Sequence, residues 1–197
     1  NSKLRSYSHC RFWRNMGNHI MPVTINGTSG IVTATSYAGA GGNLTGITTG
    51  KILQVVQTVK TDTTSTNSGT YSSISGLTVS ITPSSSSNKI LYSGHLYIAS
   101  SSSEAVFRLT RTVGGSTNGD IAAPSEYVDD EDGTFAHGGG SRYGGHSFEF
   151  LDSPNTTSAI TYGLKWQTHS GTTYLNRTWD SNWFNGISTL TVKEVAA

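Results

Sequence analysis

LTVSITPSSSSNKILYSGHLYI, residues 77–98, is the stretch that decides the fold. Leu77, Val79 and Ile81 alternate with Thr78, Ser80 and Thr82, and after residues 83–88 the alternation resumes through Ile90, Tyr92, Gly94, Leu96 and Ile98. A period of two places one set of side chains on a buried face and the other in water. Pro83 has no N–H for a ladder and fixes its own φ, so it ends the first run, and the Ser/Asn run turns the chain. The stretch therefore predicts two strands joined by a polar turn, in an antiparallel sheet with one solvated face. His95 and Tyr97 fall on the face opposite Tyr92 and Leu96, which makes them the candidate oligomer contact.

Outward from this pair, short strands recur with turn signals between them. KILQVVQTVK (51–60) places Leu53, Val55 and Val59 on one face, the expected buried one, and 61–70 reads as a polar loop. AVFRLTRTV (105–113) points Phe107 and Leu109 inward and ends at Gly114-Gly115, and 116–145 reads as a long irregular insert. HSFEFLD (146–152), AITYGLKWQTH (159–169), TTYLNRTW (172–179) and ISTLTVKEV (187–195) complete about eight strands. Strands this short and this closely spaced indicate a β-sandwich, and eight in two sheets a jelly roll. The expected class is all-β, an antiparallel jelly-roll sandwich head at 51–197 with an extended N-terminal arm.

Composition agrees with this class. Over a third of the 197 residues are Ser, Thr or Gly, helix formers are scarce, and aromatics make up 10% with a net charge of only +1. That charge is too low, and those aromatics too many, for a disordered chain. Large apolar residues are few, and each buried one contributes roughly 1.5–3 kcal/mol against roughly 1–2 kcal/mol to fix each residue's backbone. The expectation is an oligomer in which subunits cover each other, a homotrimer for a fibre-like protein. The lone Cys10 cannot form an internal disulfide, and no Cys/His spacing suits zinc. No run approaches the roughly 20 apolar residues of a membrane span, and the N-terminus lacks a signal-peptide core. No membrane partner and no cofactor are expected, and synthesis is expected in a cytoplasm.

Residues 1–20 stand apart. Lys3, Arg5, Arg11 and Arg14 carry the basic charge without an acid, with Phe12 and Trp13 among them. Two readings stay open: an arm that anchors the chain on an acidic surface, or an extension upstream of a start at Met21. Residues 21–50 form a Gly-rich extended connector with no sustained period. Outside the arm the basic residues are scattered, which argues against nucleic acid as a partner.

Within the connector, Gly39-Ala-Gly-Gly-Asn-Leu-Thr-Gly-Ile47 resembles the Gly-x-Gly-x-x-Leu-Thr-Gly-Ile spacer common in bacteriophage tail-fibre and tail-spike proteins, ahead of a C-terminal head. The succession KILQVVQ, LTVSITPSSSSNKIL, FRLTR, SFEFLDSPNTTSAITYGLKW, NRT and ISTLTVKEV resembles a domain of fibre-type structural proteins of marine and cyanobacterial phages, over about three-quarters of the chain. The resemblance implies a virion component made in a host cytoplasm: a short fibre, spike or knob for host attachment, held to other virion proteins by its arm. A capsid decoration protein clamped by that arm is the alternative, and a carbohydrate-binding module is a reading from another class. A repetitive fibre shaft is absent.

Few residues suggest chemistry. No GxSxG elbow surrounds Ser141, and Glu149 with Asp152 is the sole local carboxylate pair that could suit a glycosidase. No catalytic residue is assigned, and the expected protein is not an enzyme. The acidic run Glu126, Asp129, Asp130, Glu131 and Asp132 lacks the spacing of a calcium loop, and His137 and His146, separated by glycines, read as a surface loop. No metal site is assigned. The segment 179–186 gathers Trp179, Asp180, Asn182, Trp183 and Asn185, a candidate glycan site if exposed and a core plug or subunit contact if buried. Host-surface polysaccharide is the partner that the exposed reading implies.

Overall fold

A computed structural model describes residues 51–102, 104–122, 133–180 and 184–197. The anchoring arm, the connector, the acidic run, Asn182 and Trp183 lie outside the described residues. The described chain is all-β: β1 (Ile52–Lys60), β2 (Thr64–Thr66), β3 (Ser72–Ile81), β4 (Lys89–Ser100), β5 (Ala105–Val113), β6 (Ser116–Ile121), β7 (Phe135–His137), β8 (Gly144–Asp152), β9 (Ile160–Thr168), β10 (Thr173–Leu175) and β11 (Ser188–Val195).

All pairings are antiparallel and fall into two sheets. In the first, β4 lies between β8 and the collinear β10 and β11, and β1 with β2 forms the far edge. In the second, β9 lies between β3 and β5, and β6 and β7 share the outer edge of β5. Collinear pieces merge into eight rows, four per sheet, and counted along the chain the first row pairs with the eighth, second with seventh, third with sixth and fourth with fifth. That is one long antiparallel ribbon rolled up on itself, the winding of a jelly roll.

Four expectations change. The two strands of 77–98 are not a hairpin, because β3 belongs to the second sheet and β4 to the first. Stacked sheets lie about 10 Å apart, so the chain needs residues 83–88 to cross between layers. The loop at 61–70 contains β2, and the insert at 116–145 supplies β6 and β7. Most consequential, Leu53, Val55 and Val59 of β1 point to solvent, each about half exposed. The opposite face of that strand turns inward, with Lys60 buried and Gln54 donating to Glu194 Oε2 at 2.6 Å and to the Thr82 carbonyl at 2.7 Å. A slip of one residue would invert both faces, so these inward polar contacts set the register against hydrophobic patterning.

Core side chains come from both inner faces: Tyr92, Leu96 and Ile98 from β4, Leu190 and Val192 from β11, Leu77 and Val79 from β3, Phe107 and Leu109 from β5, Tyr162 and Leu164 from β9. In β3 both Ile74 and Leu77 are buried although three residues apart, because the pairing register shifts between Ser73 and Thr78 and Gly76 takes a φ of 73°. A bulge of this kind restores the inward parity. At Gly94 an added Cβ would come within 2.5 Å of the Phe148 ring, so hydrogen is the side chain that admits the ring to the core.

Polar groups tie the layers together. Asp152 accepts from Arg111 at 2.7 Å and from the Tyr162 hydroxyl at 2.7 Å, and the Tyr92 hydroxyl donates to the Gly163 carbonyl at 3.0 Å. Near the β11 terminus the fully buried Glu194 accepts from Ser84 N at 2.7 Å, Ser84 Oγ at 2.8 Å and Asn88 Nδ2 at 2.6 Å, besides Gln54. The crossing segment 83–88 is thereby pinned to the first and last strands. Burial pushes the Glu194 carboxyl up, but the bonds from Asn88, Gln54 and Ser84 outweigh it and hold it at about 2.

Candidate functional site

The outer face of the first sheet shows the pattern of a recognition surface. Register alone places its residues in transverse rows. Val55, Lys193, Leu91 and Leu151 form one row, Gln57, Thr191, Ser93 and Glu149 the next, and Val59, Thr189, His95 and Ser147 the third. Tyr97 lies two residues beyond His95 on the same face of β4, opposite Gly145. The face thus grades from an apolar end, through a polar middle, to an aromatic end.

At the apolar end Leu53, Val55 and Leu151 are each about half exposed. The polar middle is a shallow depression of about 540 Å³ whose lining includes Ser93, His95, Ser147, Glu149, Thr189 and Thr191. His95 Nδ1 and Ser147 Oγ lie 3.0 Å apart across its floor.

The aromatic end is built by three segments that meet only in three dimensions. Tyr97 comes from β4, Tyr143 from the turn before β8, and Phe184 from the segment before β11. Ring centroids are 5.8 Å apart for Tyr97–Tyr143, 5.4 Å for Tyr97–Phe184 and 6.0 Å for Tyr143–Phe184, with interplanar angles of 14°, 33° and 20°. A column of three stacked rings would set its outer pair much farther apart than its neighbours. Near-equal spacings with near-parallel planes describe instead a staggered three-ring tile. Tyr143 and Phe184 are each 56% exposed. Tyr97 is the fixed centre: its N–H donates to Ser188 Oγ at 3.2 Å, its carbonyl accepts from Asn176 N at 2.8 Å, and Gly186 lies so close under the ring that a Cβ there would stand 2.5 Å from Cγ. Burial, with Tyr143 beside it, raises the pKa of the Tyr97 phenol.

Beside the tile, Arg142 Nε donates to Asp180 Oδ2 at 2.6 Å, and a second guanidinium nitrogen reaches the same oxygen. Asn185 is exposed and bridges to Arg177, whose guanidinium lies 4.7 Å from the centre of the Tyr174 ring. Of the five residues of the candidate glycan segment, Asp180 and Asn185 thus border the tile through Arg142 and Phe184. Trp179 is half-buried, with its indole N–H enclosed and unpartnered, and takes no part in the tile. His95 and Tyr97 do lie on the outer face, as their parity implied. The sequence missed Tyr143 and Phe184 as partners of Tyr97, because 41 residues separate the two and nothing local links them.

Glu149 and Asp152 do not form a pair. Glu149 faces water on the outer side, while Asp152 points between the sheets and is held by Arg111 and Tyr162. His137 and His146 are not a surface loop either. His137 is 3% exposed on β7, and its Nδ1 lies 2.7 Å from Nε2 of His146 on β8. This contact clasps one sheet to the other beside Phe135, which stacks on both Phe107 and His146. Burial, and then the neighbouring imidazole, lowers the pKa of His137 to about 4; burial and then His95 lower that of His146. Among the described residues no group of three or more His, Cys, Asp or Glu side chains is placed to hold a metal ion.

No family model matches this chain, and no curated protein does. Among solved structures, a chain of the T13 IBDV viral particle is similar at 12% identity with a TM-score of 0.40, over 72% of this chain. The match covers 37% of that chain's length.

Proposed function

We propose that this chain is a non-enzymatic structural component of a bacteriophage particle, a trimeric jelly-roll head on an N-terminal arm that serves host-surface attachment. The observation that carries the reading is the outer face of the first sheet, where apolar and aromatic side chains stand exposed at both ends of a well-ordered β-layer. Exposed apolar side chains gathered on one face mark interaction sites. The fibre-type resemblance of residues 39–47 and 51–195 gives the reading its setting.

Two different contacts divide that face. Leu53, Val55, Leu91 and Leu151 are the surface that neighbouring subunits would cover, and the aromatic end is left outward. The basic arm, Lys3 to Arg14, joins the head to other virion proteins. The test is twofold: light scattering on the purified chain is expected to give three times the chain mass, and an antibody against the head is expected to mark projections on intact particles. A monomer in solution, or particles without label, would overturn the reading.

A further inference from the structure

We infer that the Tyr97–Tyr143–Phe184 tile and the adjoining depression form one binding site for a neutral polysaccharide, the tile stacking a pyranose ring and the depression taking the next sugar unit. This rests on the attachment reading for its biological purpose, but its chemistry comes from the face itself. A pyranose offers a patch of C–H bonds on one side and hydroxyls around its rim. The tile offers the exposed Tyr143 and Phe184 rings, and the depression offers Ser93, Ser147, Thr189 and Thr191 hydroxyls with the Glu149 carboxylate as a strong acceptor. Tyr97 sits two residues from His95 along one strand, so the two parts are continuous, about 7 Å apart.

Charge decides among ligands that stack on aromatic rings. A nucleic acid strand needs cations beside the stacking rings. Here the Arg142 guanidinium is already paired with Asp180, that of Arg177 lies over the Tyr174 ring, and the depression carries an exposed carboxylate. That combination repels phosphate and sulfate and leaves an uncharged polyhydroxylated ligand as the complement. The centre of the tile is also preformed, since Ser188 and Asn176 hold the Tyr97 main chain and Gly186 packs against its ring. A fixed ring loses little entropy on binding.

The experiment uses the full chain on an array of neutral glycans together with heparin as the anionic control. Affinity for the best neutral glycan is then measured for the wild type, Phe184→Ala, Tyr143→Ala, Glu149→Gln and, in the exposed part of the 83–88 crossing, Ser86→Ala. Binding to a neutral glycan but not to heparin is expected. Phe184→Ala and Tyr143→Ala are expected to weaken it by about tenfold or more, the effect of a central stacking residue. Glu149→Gln should weaken it several-fold and Ser86→Ala should leave it unchanged, all with an unchanged melting temperature. No neutral glycan bound, heparin preferred, or tile variants that bind like wild type would overturn the site. Tile variants that lower the oligomer mass instead would assign the rings to a second copy of the chain. An adsorption assay separates the two readings: glycan binding without blocking of particle adsorption refutes attachment and keeps the site, whereas blocking that survives both tile variants refutes the site and keeps attachment.

Discussion

Replacing Glu194 by Gln removes one negative charge from the point where the first strand, the last strand and the 83–88 crossing meet. In the wild type, Oε1 accepts from Ser84 N, Ser84 Oγ and Asn88 Nδ2 at 2.6–2.8 Å, and Oε2 accepts from Gln54 Nε2 at 2.6 Å. A glutamine can keep its oxygen at the Oε1 position, but its amide nitrogen then meets the Gln54 amide nitrogen, donor against donor. Gln54 cannot turn to relieve this, because its Nε2 also donates to the Thr82 carbonyl. Losing that charge-assisted bond inside a fully buried site costs about 1.5–3 kcal/mol. Linkage expresses the same bonds as a pH dependence: a carboxyl held at about 2 against an ordinary 4.5 corresponds to about 3 kcal/mol.

The sign follows from the direction of the shift. The folded pKa lies below the unfolded one, so the stabilisation is complete above pH 4.5 and is lost as pH falls towards 2. Urea unfolding followed by tryptophan fluorescence at pH 7, 4 and 2.5 measures both proteins. The variant should be less stable by about 2–3 kcal/mol at pH 7, and the gap should shrink towards acid. A gap under about 0.5 kcal/mol at pH 7, within the range of ordinary surface substitutions, or one that stays constant with pH, would refute the reasoning.

The His137–His146 clasp has its own window: the His137 pKa lies at about 4 in the folded state against an ordinary 6.5, so this stabilisation is present above pH 6.5 and lost as pH falls to 4. His137→Gln should therefore flatten the fall of melting temperature over that interval, and an unchanged slope would remove the histidine pair as its cause. Gly94→Ala should destabilise the fold by about 1–3 kcal/mol through overpacking against Phe148, with partial recovery in the Gly94→Ala, Phe148→Leu double variant, read by urea unfolding. Val55→Lys should reduce the mass in light scattering to that of one chain and lower the melting temperature, because association no longer stabilises the fold; a trimer that persists would move the subunit contact elsewhere.

Much of the fold was legible because β-structure writes its pattern locally. Alternation in 72–81, 89–100, 160–168 and 188–195 follows the inward and outward faces observed, since period two is a property of the extended backbone itself. The short strands β2 and β7 were harder to see, because three residues show no period and their pairing comes from neighbours distant in sequence. Partners were not legible either. The crossing at 83–88 and a hairpin turn look alike in sequence, and what separates them is the distance between layers.

β1 and the tile show where the chain's own pattern ends. The sequence by itself determined that Leu53, Val55 and Val59 share one face, that His95 and Tyr97 share one face, and that the chain folds as antiparallel strands. Which of the two β1 faces looks inward was decided only by the tertiary structure, where Glu194, brought alongside by the last strand, draws Gln54 into the interior. The same is true of the three rings that meet at Tyr97, which lie on segments joined only by the roll of the ribbon. Alternation is a local consequence of backbone geometry, whereas inward or outward is a comparison between two whole faces and everything that packs against them.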